Sequence, residues 1–478
     1  MKRLLPISLF TLFLFSTISL SAQELISAQR VITLPRSNFS IILGSAAKYS
    51  VEAYRVTYTT PDVNGVTDTA SGLITIPVAN GAINSPTVLV QHGTVASRDA
   101  VPSNLQGGYE LGAFFSTVGY TTVQPDYLGL GDSRGFHPYV HAATEASAGV
   151  DMILAAQTFF EQQGVPVNDQ LFVTGYSQGG HAAMAAHQLL QESYSEDLPV
   201  VASAPLSGPY SISTATVDGL LTDDPYNFPG YAAWTLMGYN QIYNLYDSLE
   251  QYMVQPYADM ALQFFTDSIE LGTLHQMMID SLTAQQGAPI IRFMFQDSII
   301  DQVTNNPNHP LNVALRDNDT YLWAPTSPTR LYYCMADDQV TFTNSVFADS
   351  VMNELGAADL DAIDVNSTAD HGGCVLPAGL ATITFFNQFA DFTVTSTRNL
   401  PELQGVIAYP NPAIDQVQLL GVPDESLLNI FDANGRLIRQ ENLTSSTPNI
   451  SVAQLPQGVY LFRLVAEKGV WNQQIIVR

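Results

Sequence analysis

Basic side chains are scarce in this sequence: 17 Lys and Arg stand against 44 Asp and Glu, a formal charge of −27. Such a surface repels phosphate backbones and anionic lipid headgroups, so nucleic acid is excluded as a partner and the acidity reads as a solvated surface. Cysteine is scarcer still. With only Cys334 and Cys374 present, one intramolecular bridge is the most the chain can form. Low-complexity tracts are absent, as are apolar runs of the ~20 residues that a bilayer-spanning helix requires. The apolar run Leu12–Leu20 is too short to span. It follows Lys2 and Arg3 and precedes the small residues Ser21 and Ala22, the order of a signal peptide over residues 1–22. No Cys lies near that cleavage site, so the thiol of a lipoprotein anchor is missing.

What is present describes a globular protein. At 478 residues and 46% hydrophobic, the chain is long enough for two structured units. Up to about residue 392, strand-like and helix-like segments alternate. "VEAYRVTYTT" and "TASGLITIP" flank the turn-rich "PDVNG" and read as an antiparallel pair. After them come "TVLVQHG", "YTTVQPDY", "QLFVTGYS", "PVVASAPLSG", "RLYYCMADD" and "LDAIDVNS", short Val-rich runs suited to buried parallel strands. "GVDMILAAQTFF" and "GGHAAMAAHQLL" carry helical spacing and strong helix formers. The pattern predicts an α/β domain over residues 23–392, a mostly parallel sheet covered by helices, with a helical cap insertion over about 210–326.

Residues 393–404 lose periodicity and read as a linker. From 405 to 478 the apolar residues alternate: Val417 and Leu419, Leu428 and Ile430, Tyr460, Phe462 and Leu464, Ile475 and Val477. That period predicts a small all-β antiparallel sandwich. It holds no His and no Cys, which argues against chemistry there.

One motif carries the chemistry. "TGYSQGG" sits between the strand-like "QLFV" and the helix-like "GHAAMAAHQLL", the strand–turn–helix context that a G-x-S-x-G nucleophile elbow needs. Ser177 is the candidate nucleophile, and Gly175 and Gly179 leave room for its turn. A serine hydroxyl needs a base, and in an α/β-hydrolase the chain order is Ser, acid, His. Of the 8 histidines only His371, in "STADHGGCVLPAG", follows the last predicted strand, on a loop leading into the last helix. The acid belongs after "RLYYCMA", where Asp337 and Asp338 both qualify. "CMADDQV" resembles the "GxxDxxV" segment of many α/β-hydrolases, which with Val340 points to Asp337, although Cys334 stands where that pattern has Gly.

An oxyanion needs aimed donors. The N–H of Gln178, next to Ser177, and that of Thr94 in "QHGT" form the candidate pair, with Gly93 an alternative to Thr94. "PDYLGLGDS" fits D-x-x-G-x-G-x-S through Asp126, Gly129, Gly131 and Ser133 and reads as supporting loop architecture. His137 and His141 in "HPYVH" have the spacing of a metal pair, but no third ligand accompanies them; no metal or cofactor is called for. Cys334 lies three residues before Asp337 and Cys374 three after His371. Loops that must meet for carboxylate and imidazole to bond would bring the thiols together, so a disulfide between them is expected in an exported protein.

Two resemblances extend this reading. "DYLGLG", "HPY", "GYSQGGHAAM", "SGPY", "ADDQV" and "HGGC" occur in the order of bacterial α/β-hydrolases related to the secretory lipase family. That implies esterase or lipase chemistry on an ester or lipid substrate through an acyl-serine. The tail, with "YPNP", "IFDANGRLI", "LPQGVYLFRL" and "QQIIVR", resembles the C-terminal sorting domain of the type IX secretion system of Bacteroidetes. That implies the type IX machinery as a partner and a secreted or cell-surface location. The competing functions are a secreted serine peptidase or aminopeptidase on the same fold and a non-catalytic surface adhesin.

Overall fold

The computed structural model describes residues 24–79, 82–395, 403–423, 426–433, 436–443, 449–466 and 469–478. The leader expected over residues 1–22 and most of the linker expected over 393–404 lie outside them. The chain divides near Val394 into two compact units.

The first unit is an α/β-hydrolase fold whose sheet has ten strands among the described residues. The nine along its main path are β1 (Leu25–Leu34), β2 (Ser50–Pro61), β3 (Thr67–Val78), β4 (Ala82–Gln91), β5 (Thr121–Pro125), β6 (Val167–Tyr176), β7 (Val200–Leu206), β8 (Thr329–Tyr333) and β9 (Leu360–Asp364), and the short Thr393–Thr395 pairs with β4 off that path. The nine lie in the order β1-β2-β3-β5-β4-β6-β7-β8-β9. The pairs from β1 to β2, β2 to β3 and β3 to β5 are antiparallel. Every pair from β5 through β4 and β6 to β9 is parallel. Parallel strands need helical crossovers, which bury both faces, and the central strands are accordingly apolar throughout: all of β5 and the last six residues of β6 are buried.

The six Val-rich runs became β4 to β9, and the opening pair became β2 and β3 with the register Val51↔Pro77 to Pro61↔Thr67. The strand β1 was not anticipated. Nine of its ten residues are at least partly exposed, so "LISAQRVITL" offers no alternation to read. The helices expected around Val150 and after Ser177 are Ala142–Gln163 and Gln178–Ser193, and both bury most of their length. They pack on the sheet through Val150, Ile153, Phe159, Ala183 and Leu190.

Between β7 and β8 the chain turns helical, with helices at Gly230–Tyr243, Tyr257–Phe265, Leu271–Gln286, Asp297–Asn305 and Pro310–Asp317. They close around their own core of Trp234, Tyr239, Leu274, Met278 and Leu282. This aromatic and Met-rich packing is why the strand pattern stops there. No helix among the described residues is long and apolar enough to cross a membrane.

The second unit is all β. One sheet pairs Ile407–Tyr409, Gln416–Leu420 and Asn449–Ser451, and the other pairs Leu437–Leu443, Ser426–Phe431, Gly458–Ala466 and Gly469–Val477, all antiparallel. The alternating residues singled out above, from Val417 to Val477, are buried in one apolar cluster.

Candidate active site

The end of β6 and the start of the helix Gln178–Ser193 form a turn so tight that side chains are excluded from it. A Cβ on Gly175 would stand 2.2 Å from the Gly179 carbonyl oxygen, and one on Gly179 would stand 2.1 Å from that of Gln91. Ser177, between them, has φ 61° and ψ −121°. A non-glycine residue in that region costs about 1–3 kcal/mol and persists only where its surroundings hold it. Holding starts with the backbone: Ser177 N–H donates to Leu206 O at 2.9 Å, and the Ser177 carbonyl accepts from Gly180 N–H at 2.8 Å. The strain lifts the hydroxyl off the sheet at the mouth of the helix.

His371 Nε2 lies 2.8 Å from Ser177 Oγ. Its Nδ1 lies 2.7 Å from Asp337 Oδ2. The other carboxylate oxygen of Asp337 accepts the N–H groups of Gln339 at 3.0 Å and Val340 at 2.9 Å, so the acid cannot swing away from the ring. The His371 backbone is held as well, because Tyr176 OH donates to its carbonyl at 2.6 Å. His371 is not on a loop as the sequence suggested. It is the first residue of the helix His371–Phe386, capped by Asp370, whose side chain accepts Gly373 N–H at 2.7 Å. The hydrophilic "STAD" hid a helix start that begins one residue before the Gly pair.

The structure thus brings Ser177, His371 and Asp337 together and gives Asp338 different work. Asp338 is not a free loop carboxylate; its Oδ1 accepts the backbone N–H of His371 at 3.1 Å. Cys334 and Cys374 are bridged, with their Cα atoms 5.9 Å apart, and both are fully buried. The bridge ties the end of β8 to the first turn of the His371 helix.

Gln178 opens the elbow helix and is buried. Gly93 lies hard against the elbow, where a Cβ would stand 3.2 Å from Tyr176 O and 3.9 Å from Ser177 Cβ. Thr94 follows it, its hydroxyl 3.0 Å from that of Tyr139. Among the described residues, no backbone carbonyl engages the N–H of Gln178 or of Thr94. Asp126, in the "DYLGLG" loop, is fully buried and accepts from Ser71 Oγ at 2.6 Å and Ser103 N–H at 3.0 Å. Burial pushes its carboxyl above the usual range, against the hydroxyl and backbone donors of Ser103 and Ser71 and the neighbouring His92.

His137 and His141 do not converge as a metal pair. His137 Nδ1 faces Leu128 O at 2.7 Å, and His141 Nδ1 faces Thr144 Oγ1 at 3.0 Å. No cluster of metal-ligating side chains occurs among the described residues. Burial pushes the His137 ring down to about 3 and that of His141 down to about 4, so both stay neutral. Two residues that sequence reasoning passed over, Glu145 and His181, meet within 2.7 Å behind the elbow. The acid of an acid–histidine pair at 36 residues' separation has no local signature.

Above Ser177 a cavity of about 540 Å³ opens under the helical insertion. Tyr139, Ile212, Leu220, Leu236 and Ile299 contribute to its walls, and no Lys or Arg is among its lining residues.

Residues 113–387 match the secretory lipase family, and residues 407–478 match the secretion system C-terminal sorting domain. The comparison with curated proteins finds no match. Among solved structures, the rice cell wall degrading esterase LipA from Xanthomonas oryzae is 26% identical, with a TM-score of 0.66 over 77% of this chain and 98% of that one. A Legionella pneumophila protein at 24% identity has a TM-score of 0.68, again over 77% and 98%. Candida antarctica lipase A, 15% identical, shares the fold at a TM-score of 0.53 over 73% of this chain and 77% of that one.

Proposed function

The chain belongs to the secretory lipase family, a family of lipase and esterase hydrolases, and from that premise we propose that it cleaves carboxylic esters through an acyl intermediate on Ser177. The observation that carries the reading is the unbroken hydrogen-bonded line Ser177–His371–Asp337 beneath an apolar cavity. His371 Nε2 takes the Ser177 proton as Oγ bonds to the ester carbonyl carbon. The imidazolium that forms is stabilised by Asp337, which also fixes the ring so that Nε2 faces the serine. The carbonyl electron pair moves onto oxygen, where Gln178 N–H at the positive end of its helix, with Thr94 N–H, would receive it. Collapse expels the alcohol, which takes the proton from His371. Water then attacks the acyl-serine with His371 as base, and the acid leaves.

The cavity's apolar walls and lack of a cation suit a neutral, hydrocarbon-rich acyl group and disfavour one that carries a carboxylate. LipA from Xanthomonas oryzae, described as a cell-wall-degrading esterase, supports the ester over the amide. The leader over residues 1–22 would start export, and the tail, through its match to a sorting domain, would hand the hydrolase to the type IX machinery. Rates on p-nitrophenyl esters of graded chain length, set against rates on aminoacyl p-nitroanilides, test the substrate class. Ester rates should exceed anilide rates at every length and rise from acetyl to longer chains. Faster anilide cleavage would favour the peptidase.

A further inference from the structure

Gln178 supplies a backbone donor in the scheme above, yet its side chain has no part in it. That side chain ends in a buried polar knot. His137, from the loop after β5, Glu145, from the helix Ala142–Gln163, and His181, one turn along the elbow helix, all surround it and are all nine-tenths or more buried. Gln178 Nε2 lies 2.7 Å from His137 Nε2 and 2.7 Å from Glu145 Oε1. Glu145 Oε2 lies 2.7 Å from His181 Nδ1, and His181 Nε2 lies 2.8 Å from the Asn318 carbonyl oxygen.

Two carbonyls fix one proton on each ring of the knot. A carbonyl oxygen only accepts, so Leu128 O requires the proton of His137 on Nδ1, which leaves Nε2 as an acceptor. The Gln178 amide nitrogen must then face His137, and its second N–H goes to Glu145. Asn318 O likewise requires a proton on His181 Nε2. His181 Nδ1 and Glu145 then share one proton as a buried imidazolium–carboxylate pair. Burial alone pushes the His181 ring down, but the charge and hydrogen bond of Glu145 outweigh it and raise the ring above its ordinary value. Asn318 extends the knot to the helical insertion: its Oδ1 accepts Ala142 N–H at 2.8 Å and its Nδ2 donates to Tyr243 OH at 3.0 Å. Each Gln178 and His137 N–H therefore has one acceptor, while Gln178 Oε1 is left buried without a partner.

We propose that this knot clamps the strained elbow, so that His137 and Glu145, acting through the Gln178 side chain, are positioning residues for the Gln178 backbone donor. The proposal rests on the acyl-serine reading. Ser177 needs surroundings that hold its backbone, and the residue directly after it is the one whose side chain is locked from two sides.

The test is a set of His137 variants in the full chain. A Gln at 137 carries an NH2 donor group and a C=O acceptor at the reach of the imidazole. An Asn has the same groups one methylene short, and a Leu has neither. His137→Asn and His137→Leu should lower kcat on a p-nitrophenyl ester about 10- to 100-fold with KM within about twofold, and weaken binding of an alkyl boronic acid, a tetrahedral mimic, by a similar factor. His137→Gln should return kcat to within about threefold of the parent. Full kcat in a folded His137→Asn, or equal losses in the Asn and Gln variants, would overturn the clamp. If none of the three folds, the knot determines folding and the positioning role is likewise overturned. Fluorophosphonate labelling of the parent protein separates the two claims: no adduct on Ser177 refutes the acyl-serine reading, whereas fast labelling of both parent and His137→Asn refutes the clamp alone.

Discussion

The two units of this chain solve their packing differently. The unit ending near Val394 contains all 8 histidines and both cysteines, and it buries Asp126, Glu145, Asp151 and five His side chains besides His371. In the C-terminal unit Ser426 is the one buried polar residue among the described residues, and its core cluster is apolar. Buried polar groups weaken a fold unless each is paired, so a domain that carries this many is shaped by something other than stability. The contrast places the candidate chemistry in the first unit, while the second is the part that matches a sorting domain. It also predicts that the units respond differently to the same perturbation.

The largest separation is expected from the site itself. His371→Ala should remove nearly all ester hydrolysis, and Asp337→Asn should lower kcat on the order of 10⁴-fold, because an Asn partner permits the wrong imidazole tautomer. Asp338→Asn keeps an acceptor for the His371 backbone and should cost less than about tenfold. Steady-state kinetics on one p-nitrophenyl ester rank the three. A more damaging Asp338→Asn would mean that the acid is misassigned. Unfolding of the C-terminal unit should be identical in all of them.

A smaller effect should follow loss of the bridge. The cysteines are separated by 40 residues, and closing such a loop contributes about 3 to 4 kcal/mol in the chain-entropy account. The double variant Cys334→Ser with Cys374→Ser should therefore melt roughly 5 °C lower in its hydrolase transition. Calorimetry should show the C-terminal transition unmoved, since that unit has no cysteine.

Acid should separate the units as well. Burial pushes His137 and His187 down to about 3, and His141 and His275 down to about 4. Between those values and the ordinary 6.5 the unfolded chain binds more protons than the folded one, so hydrolase stability falls as pH drops from 6.5 towards 4. Asp126 and Asp319, raised by burial, act in the opposite direction and shallow the slope. His181, raised, contributes stability below 6.5 that is lost as pH rises through its folded value. The hydrolase melting temperature should drop about 5 to 10 °C between pH 6.5 and 5, while the His-free tail stays flat. Equal acid sensitivity in both transitions would break the contrast.

The smallest effect on catalysis should come from removing the tail. A chain ending near Phe392 should keep the parent's kcat and KM, but remain within the cell envelope of a host that uses type IX secretion. Loss of activity in that chain would place the tail within the catalytic unit.

Much of this was legible beforehand, and the reasons are local. The tight turn announces itself because strand, strained turn and helix are consecutive, so Ser177 and its glycines share one short motif. His371 followed from chain order alone, and the bridge from the symmetry of Cys334 and Cys374 about the residues they flank. Long-range features were hidden. The placing of β5 between β3 and β4 is set by crossover helices, and the exposed β1 lacks a pattern. The knot of His137, Glu145, Gln178 and His181 joins residues that carry no mutual spacing rule. Asp338 looked like a rival to Asp337 because sequence does not distinguish a carboxylate facing a ring from one facing a backbone N–H.

The central claim is that Ser177 becomes covalently acylated. Incubation of the full chain with a fluorophosphonate, followed by proteolysis and mass spectrometry, tests it directly. The account predicts one adduct per chain, on the peptide containing Ser177, and none after Ser177→Ala in a protein that melts like the parent. An adduct elsewhere, or stoichiometric labelling that survives Ser177→Ala, would contradict it.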